Sequence, residues 1–168
     1  MAAALSDETL FEKARRGDQD AFKFLYQRHR NAVFDFLYRV SGSAEVAEDI
    51  THDCFLSLMR GSDRQMISTS FRIRLYSTAR SLVLERFRDH GPTINEANHG
   101  TDDQSSTFKI HTAIASLPLF EREALILSQY EGLDLDQIAT IVDADEKAVA
   151  DRIDSARKRL RVALGDLT

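Results

Sequence analysis

Apolar residues recur every three or four positions along nearly the whole chain, and the recurrence breaks across one segment, residues 89–110. That spacing puts a stripe on one face of a helix, and the stripe must be buried against a neighbour. From Ala21 it runs Phe22, Leu25, His29, Ala32, Val33, Phe36, Leu37 and Val40, and Ser41-Gly42 stops it. Ser43 suits the N-cap of a helix over 45–60, with Glu45 in the first turn and Val46, Ile50, Cys54 and Leu58 at every fourth position. Another helix is expected over 67–88. No stretch alternates apolar and polar residues between turn signals, so no sheet is expected. The fold class is all-α.

The segment DHGPTINEANHGTDDQSSTF collects Gly, Pro, Asn, Asp and Ser without apolar periodicity and reads as a flexible linker. The expected organisation is therefore two small helical domains, 1–88 and 111–168, joined by a linker over 89–110. Charge divides the same way. Residues 1–88 carry 14 basic and 12 acidic side chains, whereas residues 111–168 carry 7 and 11.

After the linker, short helices are expected at 108–115 and, following Leu117-Pro118, at 119–130. Asp134 with Gln137 three residues later is a capping-box start for a short helix bearing Ile138, Ala139, Ile141 and Val142. Asp143-Ala144 is a tight turn, and Asp145 can cap a last helix whose stripe is Val149, Ile153, Ala156 and Leu160. Short helix, tight turn, longer helix with a basic end is the outline of a helix-turn-helix, and equally of an ordinary helical hairpin.

Composition excludes several classes. A single Cys, Cys54, rules out a disulfide framework or a cysteine-built zinc site, and no apolar run reaches the roughly 18 residues of a membrane span. The start, MAAALSDETLFEKARR, lacks the features of an export signal, so a cytoplasmic location is expected. There is no glycine-rich phosphate loop and no nucleophile elbow, and neither an enzymatic activity nor a cofactor is expected. Glu48 and His52 lie one helical turn apart, a spacing that can hold a metal, but no third ligand accompanies them and an ion pair is the plainer reading, so no metal is expected. Cys54 falls on the apolar stripe as a small hydrophobe.

Between Arg64 and Arg88 there are six arginines and one acid, Glu85, beside Phe71, Tyr76 and Phe87. Arginines can follow a phosphate backbone while rings stack on unpaired bases, worth about 1–3 kcal/mol per base, so the segment suits single-stranded DNA. The plainer alternative puts Phe71, Leu75, Ala79 and Leu82 in a core and leaves the arginines as a solvated face. Within 45–60, Glu48, Asp49 and Asp53 near Ile50, Phe55 and Leu56 make a mixed acidic and apolar surface suited to a basic protein helix.

Residues 117–164 resemble the C-terminal promoter-reading domain of bacterial extracytoplasmic-function sigma factors of the sigma-70 superfamily. The elements are Leu117-Pro118, Arg122-Glu123, Tyr130-Glu131-Gly132-Leu133, Ile138-Ala139 and Ala156-Arg157-Lys158-Arg159-Leu160. Residues 20–42 are similar to the family's first conserved helix, 47–60 to the helix that docks on the clamp helices of the polymerase β′ subunit, and 71–88 to the strand-opening, minus-ten-reading helix, with Tyr76-Ser77-Thr78-Ala79-Arg80 as its Tyr-x-x-Ala-Arg. The resemblance implies a sigma factor that directs core RNA polymerase to promoter DNA and is held in check by an anti-sigma factor. It implies DNA contacts from Arg64, Arg72, Arg74, Tyr76, Arg80, Arg86 and Arg88 in the first domain and from Lys147, Arg152, Arg157 and Lys158 in the second. Polymerase contacts are expected from Glu48, Asp49, Ile50, Asp53, Phe55 and Leu56.

The last helix departs from the family pattern. Where Lys, Ser, His and Arg are usual it reads Ala150, Asp151, Asp154 and Ser155, and the turn glycine is Asp143. Acids facing phosphates oppose binding, which motivates a second expectation, a sigma-like decoy that binds an anti-sigma factor without productive DNA contact. A stand-alone dimeric helix-turn-helix regulator is a third, and it leaves the N-terminal resemblance unexplained.

Overall fold

The computed structural model describes residues 4–61, 69–91 and 106–165. It forms α1 (Asp7–Arg15), α2 (Gln19–Ser41), α3 (Ala44–Arg60), α4 (Phe71–His90), α5 (Ser106–Ala115), α6 (Leu119–Gln129), α7 (Leu135–Val142) and α8 (Glu146–Gly165). Among the described residues there is no strand, and no helix is long and apolar enough to cross a membrane.

The N-terminal unit is built on the hairpin of α2 and α3. Gly42 ends α2 in the left-handed conformation (φ 72°), which costs a glycine nothing, and Ser43 Oγ at once accepts the Val46 N–H to start α3. The chain thus reverses within two residues and lays the two stripes together. Leu25, Val33, Phe36, Leu37 and Val40 of α2 meet Val46, Ile50, Cys54 and Leu58 of α3, all buried. Helix α4 closes this core with Phe71, Leu75, Ala79 and Val83, and Tyr76 stands edge-on to Phe36 at 5.4 Å between ring centroids.

Helix α1 has no counterpart in the sequence-based expectation. Ser6 caps it, Asp7 and Glu8 occupy its first turn, and Leu10 and Phe11 enter the core. Its acids tie the unit together: Asp7 accepts from Arg28 at 2.6 Å and pairs with His29 at 2.9 Å, while Glu8 accepts the Phe71 N–H at the start of α4. The helix expected from 67 begins at Phe71, because Ser70 takes the N-cap and its Oγ accepts the Ile73 N–H. Residues 67 and 68 lie outside the described residues.

In the C-terminal unit Asp134 and Gln137 form the expected capping box of α7, with reciprocal bonds of 3.0 and 3.1 Å. Asp143 ends α7 at φ 52° and ψ 53°, left-handed as the turn requires, and Asp145 caps α8 through the Ala148 N–H at 2.7 Å. Ile138, Ile141, Val142, Val149, Ile153 and Ala156 make the core between the two helices, backed by Leu125, Ile126 and Leu127 of α6. Most of the segment expected as a linker, residues 92–105, lies outside the described residues; α4 extends to His90 and α5 begins at Ser106.

The two units pack on each other. Helix α4 lies against α7, and α2 lies against α5 and α6.

Candidate nucleic-acid interface

Helix α4 carries two stripes, both set by its 3.6-residue period. Phe71, Leu75 and Ala79 turn into the N-terminal core. Arg72, Tyr76 and Arg80, again four apart, turn toward the C-terminal unit and are engaged there. Arg80 forks onto a carboxylate, Nε to one oxygen of Glu123 at 2.9 Å and a terminal nitrogen to the other at 3.1 Å. The Tyr76 hydroxyl donates to the Glu131 carboxylate, and Arg72 donates to the Glu131 backbone carbonyl. Arg74 is buried beside Phe11, its guanidinium 5.5 Å from the ring centroid. Toward the end of the helix Arg86 and Arg88 reach the surface, with long contacts of 4.0 Å to Asp49 and 3.8–3.9 Å to Asp89 and Glu85. Arg64 lies outside the described residues.

Burial governs the electrostatics of this contact. Glu123 is completely enclosed, which pushes its carboxyl upward against the opposing pull of Arg80 and Arg152. Burial likewise raises Glu131, with Tyr76, Arg72 and Arg39 pulling down and Asp35 pushing further up. The Tyr76 hydroxyl is raised by burial and by its carboxylate partner, so it stays a neutral donor. Two further bridges flank the pair. The Arg122 guanidinium reaches the Val40 carbonyl at 2.7 Å while also binding the carbonyls of Ala115 and Leu117, and Arg39 lies 4.0 Å over the Tyr130 ring. Burial draws the Arg122 pKa below its ordinary value.

Helix α8 presents a mixed face. Lys147, Arg157 and Lys158 are exposed, Arg157 with Asp154 at 4.0 Å. Arg152 instead folds over the Phe120 ring at 5.3 Å, and Arg159 pairs with Glu121 at 3.0 Å. Exposed Glu146, Asp151 and Asp154 stand among these bases.

On α3, Glu48, Asp49 and Asp53 are exposed and Leu56 is half-buried. Two residues expected on this docking face are buried in the folded chain. Ile50 and Phe55 are 4% and 1% exposed, because the stripe of Val46, Ile50, Cys54 and Leu58 is the one that packs on α2 and α4, and Phe55 stands edge-on to Tyr26 at 4.9 Å. Cys54 donates to the Leu75 carbonyl at 3.5 Å, and burial pushes its thiol up to about 12, so it packs as a hydrophobe.

The functional reading of the sequence did not single out Glu123, Glu131, Arg39 or Tyr130 as contact residues. One signal is present: Glu123 is an acid set directly before the apolar run Ala124-Leu125-Ile126-Leu127, and it is buried together with that run.

A basic, aromatic-bearing helix in an α-helical unit, followed by a second unit with a capped helix-turn-helix, defines an all-helical protein of two units. The family model for sigma-70 region 2 matches residues 25–93, and that for sigma-70 region 4 matches residues 107–160. The chain belongs to the sigma-70 family, as a member of its extracytoplasmic-function group. Among curated relatives it is 29% identical over 167 residues to the RNA polymerase sigma factor CarQ of Myxococcus xanthus, covering 93% of this chain and 96% of that one. It is 26% identical over 178 residues to the ECF RNA polymerase sigma factor SigW of Bacillus subtilis, covering 93% and 95%. The solved structure of CnrH in complex with the cytosolic domain of CnrY shares the fold, with a TM-score of 0.78 and 23% identity over 96% of this chain and 99% of that one.

Proposed function

We propose that this chain is a promoter-specificity subunit of RNA polymerase. The observation that carries the reading is one chain holding, in order, the exposed acidic face of α3, the arginine-bearing α4 and a helix-turn-helix. Residues 1–88 would dock on the β′ clamp helices of core polymerase through Glu48, Asp49, Asp53 and the edge of Leu56, and open the minus-ten element with α4. Residues 111–168 would set α8 at the minus-thirty-five element, with Lys147, Arg152, Arg157 and Lys158 on the duplex. An anti-sigma factor is the expected regulator, and any catalysis belongs to the polymerase.

Transcription by core polymerase with the purified chain, across fragmented DNA of the source genome, tests this directly. Discrete start sites sharing two spaced motifs are the expected result; co-elution with core but no starts would overturn it. Replacing Arg152 and Lys158 by Ala should also reduce the slope of log affinity against log salt by about one unit for each phosphate that these side chains neutralise.

The face of α8 favours a second reading, a decoy for an anti-sigma factor. Glu146, Asp151 and Asp154 are exposed there while Arg152 is held on Phe120 and Arg159 on Glu121. A decoy would bind the anti-sigma factor and leave promoter duplex unbound at any salt concentration.

A further inference from the structure

We propose that Asp151 of α8 is a base-reading residue, its carboxylate accepting a hydrogen bond from the exocyclic amine of a cytosine in the upstream promoter element. The inference rests on the promoter-reading role proposed for α8. At about 100° per residue, the buried stripe of Val149, Ile153 and Ala156 leaves Lys147, Asp151 and Lys158 on the opposite, outward face of the helix, and all three are exposed. Asp151 lies within the N-terminal half of α8, the part that a recognition helix presents to base edges.

Its neighbours on the helix define what it can meet. Lys147 and Lys158 are separated by about 16 Å along the axis, against a major groove about 12 Å wide, so the two cations can reach phosphates on either side. Asp151 falls between them, over the floor of the groove and away from the phosphates that would repel it. The flanks are occupied. Arg152 lies over Phe120, Ser155 Oγ donates to Glu121 at 2.8 Å and Arg159 pairs with the same carboxylate, while on the other side Asp154 stands 4.0 Å from Arg157. A carboxylate only accepts, and of the four base edges in the major groove only cytosine offers a donor with no acceptor beside it. Adenine sets N7 next to its amine, guanine shows O6 and N7, and thymine shows O4 and a methyl group, so an acid that selects cytosine also rejects the other three.

The test offers the full chain, with and without core polymerase, a pool of duplexes carrying a randomised upstream block, and sequences the DNA retained. Wild type should enrich one C·G pair at a fixed position. Asp151→Ala should lose that preference, about tenfold in affinity against the same duplex with the pair replaced by T·A. Asp151→Asn, which keeps the shape but adds a donor, should turn the preference toward adenine. N4-methylcytosine at the enriched position should weaken wild type and leave Asp151→Ala unchanged, since it blocks the amine that the carboxylate takes. Asp154→Ala, on the flank beside Arg157, should tighten all duplexes alike without changing the preferred base. Both positions are exposed, so each variant should keep the thermal melt of wild type.

A wild-type pool with no enriched cytosine, or a cytosine preference that survives Asp151→Ala, would overturn the assignment. Transcription with core polymerase, run on the enriched duplexes, separates this from the specificity-factor reading. Start sites whose upstream preference is independent of Asp151 would sink only the base contact. An Asp151-dependent cytosine without start sites would sink only the promoter role.

Discussion

Asp7 is a residue whose protonation links two helices, since it stands on α1 and both its partners, Arg28 and His29, stand on α2. Burial works against its ionised carboxyl, but the bonds and charges of Arg28 and His29 outweigh it and hold the pKa below the ordinary 3.8. A carboxyl lowered in the folded state contributes stability that is present above its unfolded pKa and lost as pH falls through the folded one. Asp7→Asn should therefore destabilise the chain at neutral pH, and the gap between wild type and variant should narrow below about pH 4, measured by urea unfolding across that range. A gap that does not change with pH would mean that the bond to Arg28 matters without its charge. Asp143 is the other residue to test. Its left-handed backbone is tolerable for Asp or Asn and strained for a β-branched side chain, so Asp143→Val should cost about 1–2 kcal/mol while Asp143→Asn stays near neutral in thermal melts. Phe36, fully buried edge-on to Tyr76, should cost about 3–5 kcal/mol when cut to Ala.

At the scale of elements, the helices that were legible are those whose stripe and caps agree. Ser43 with Val46, Ile50, Cys54 and Leu58, and Asp134 with Gln137 and Ile138, carry start signal and period together, and both helices form where those signals lie. Helix α1 was missed although Ser6, Asp7 and Glu8 make a good first turn, because nine residues hold too few apolar positions to display a period. Its existence depends on distant partners, Arg28, His29 and the first residue of α4. The start of α4 differs from its apolar pattern for the converse reason: Ile67 continues the run numerically, yet Ser70 competes for the backbone and begins the helix at Phe71. Removing a cap that sequence alone revealed should cost what caps ordinarily do. Asp134→Ala should lower stability by about 1 kcal/mol, seen as a lower denaturant midpoint with an unchanged slope.

At the scale of the whole molecule, local pattern gives no guidance to what α4 meets. Its inner stripe is written in its own spacing, whereas the partners of Arg72, Tyr76 and Arg80 lie 59, 55 and 43 residues away, beyond the segment without period. The sequence alone shows no partner for these side chains; the fold brings Glu131 and Glu123 to them. The same contact should be measurable as shared stability. Each unit is small, so neither has much stability in reserve, and the buried residues of both form one continuous cluster. The closed chain should therefore unfold in a single calorimetric transition. Glu131→Arg, which replaces the carboxylate that Tyr76 donates to with a cation beside Arg72, should split it, the C-terminal unit melting about 4–8 °C lower for each kcal/mol of support withdrawn. A single transition at an unchanged temperature in that variant would mean that each unit stands alone and that the contact sets orientation only. A split with promoter-dependent transcription retained would mean that the same side chains serve in turn as internal ties and as DNA ligands, with polymerase docking deciding between them.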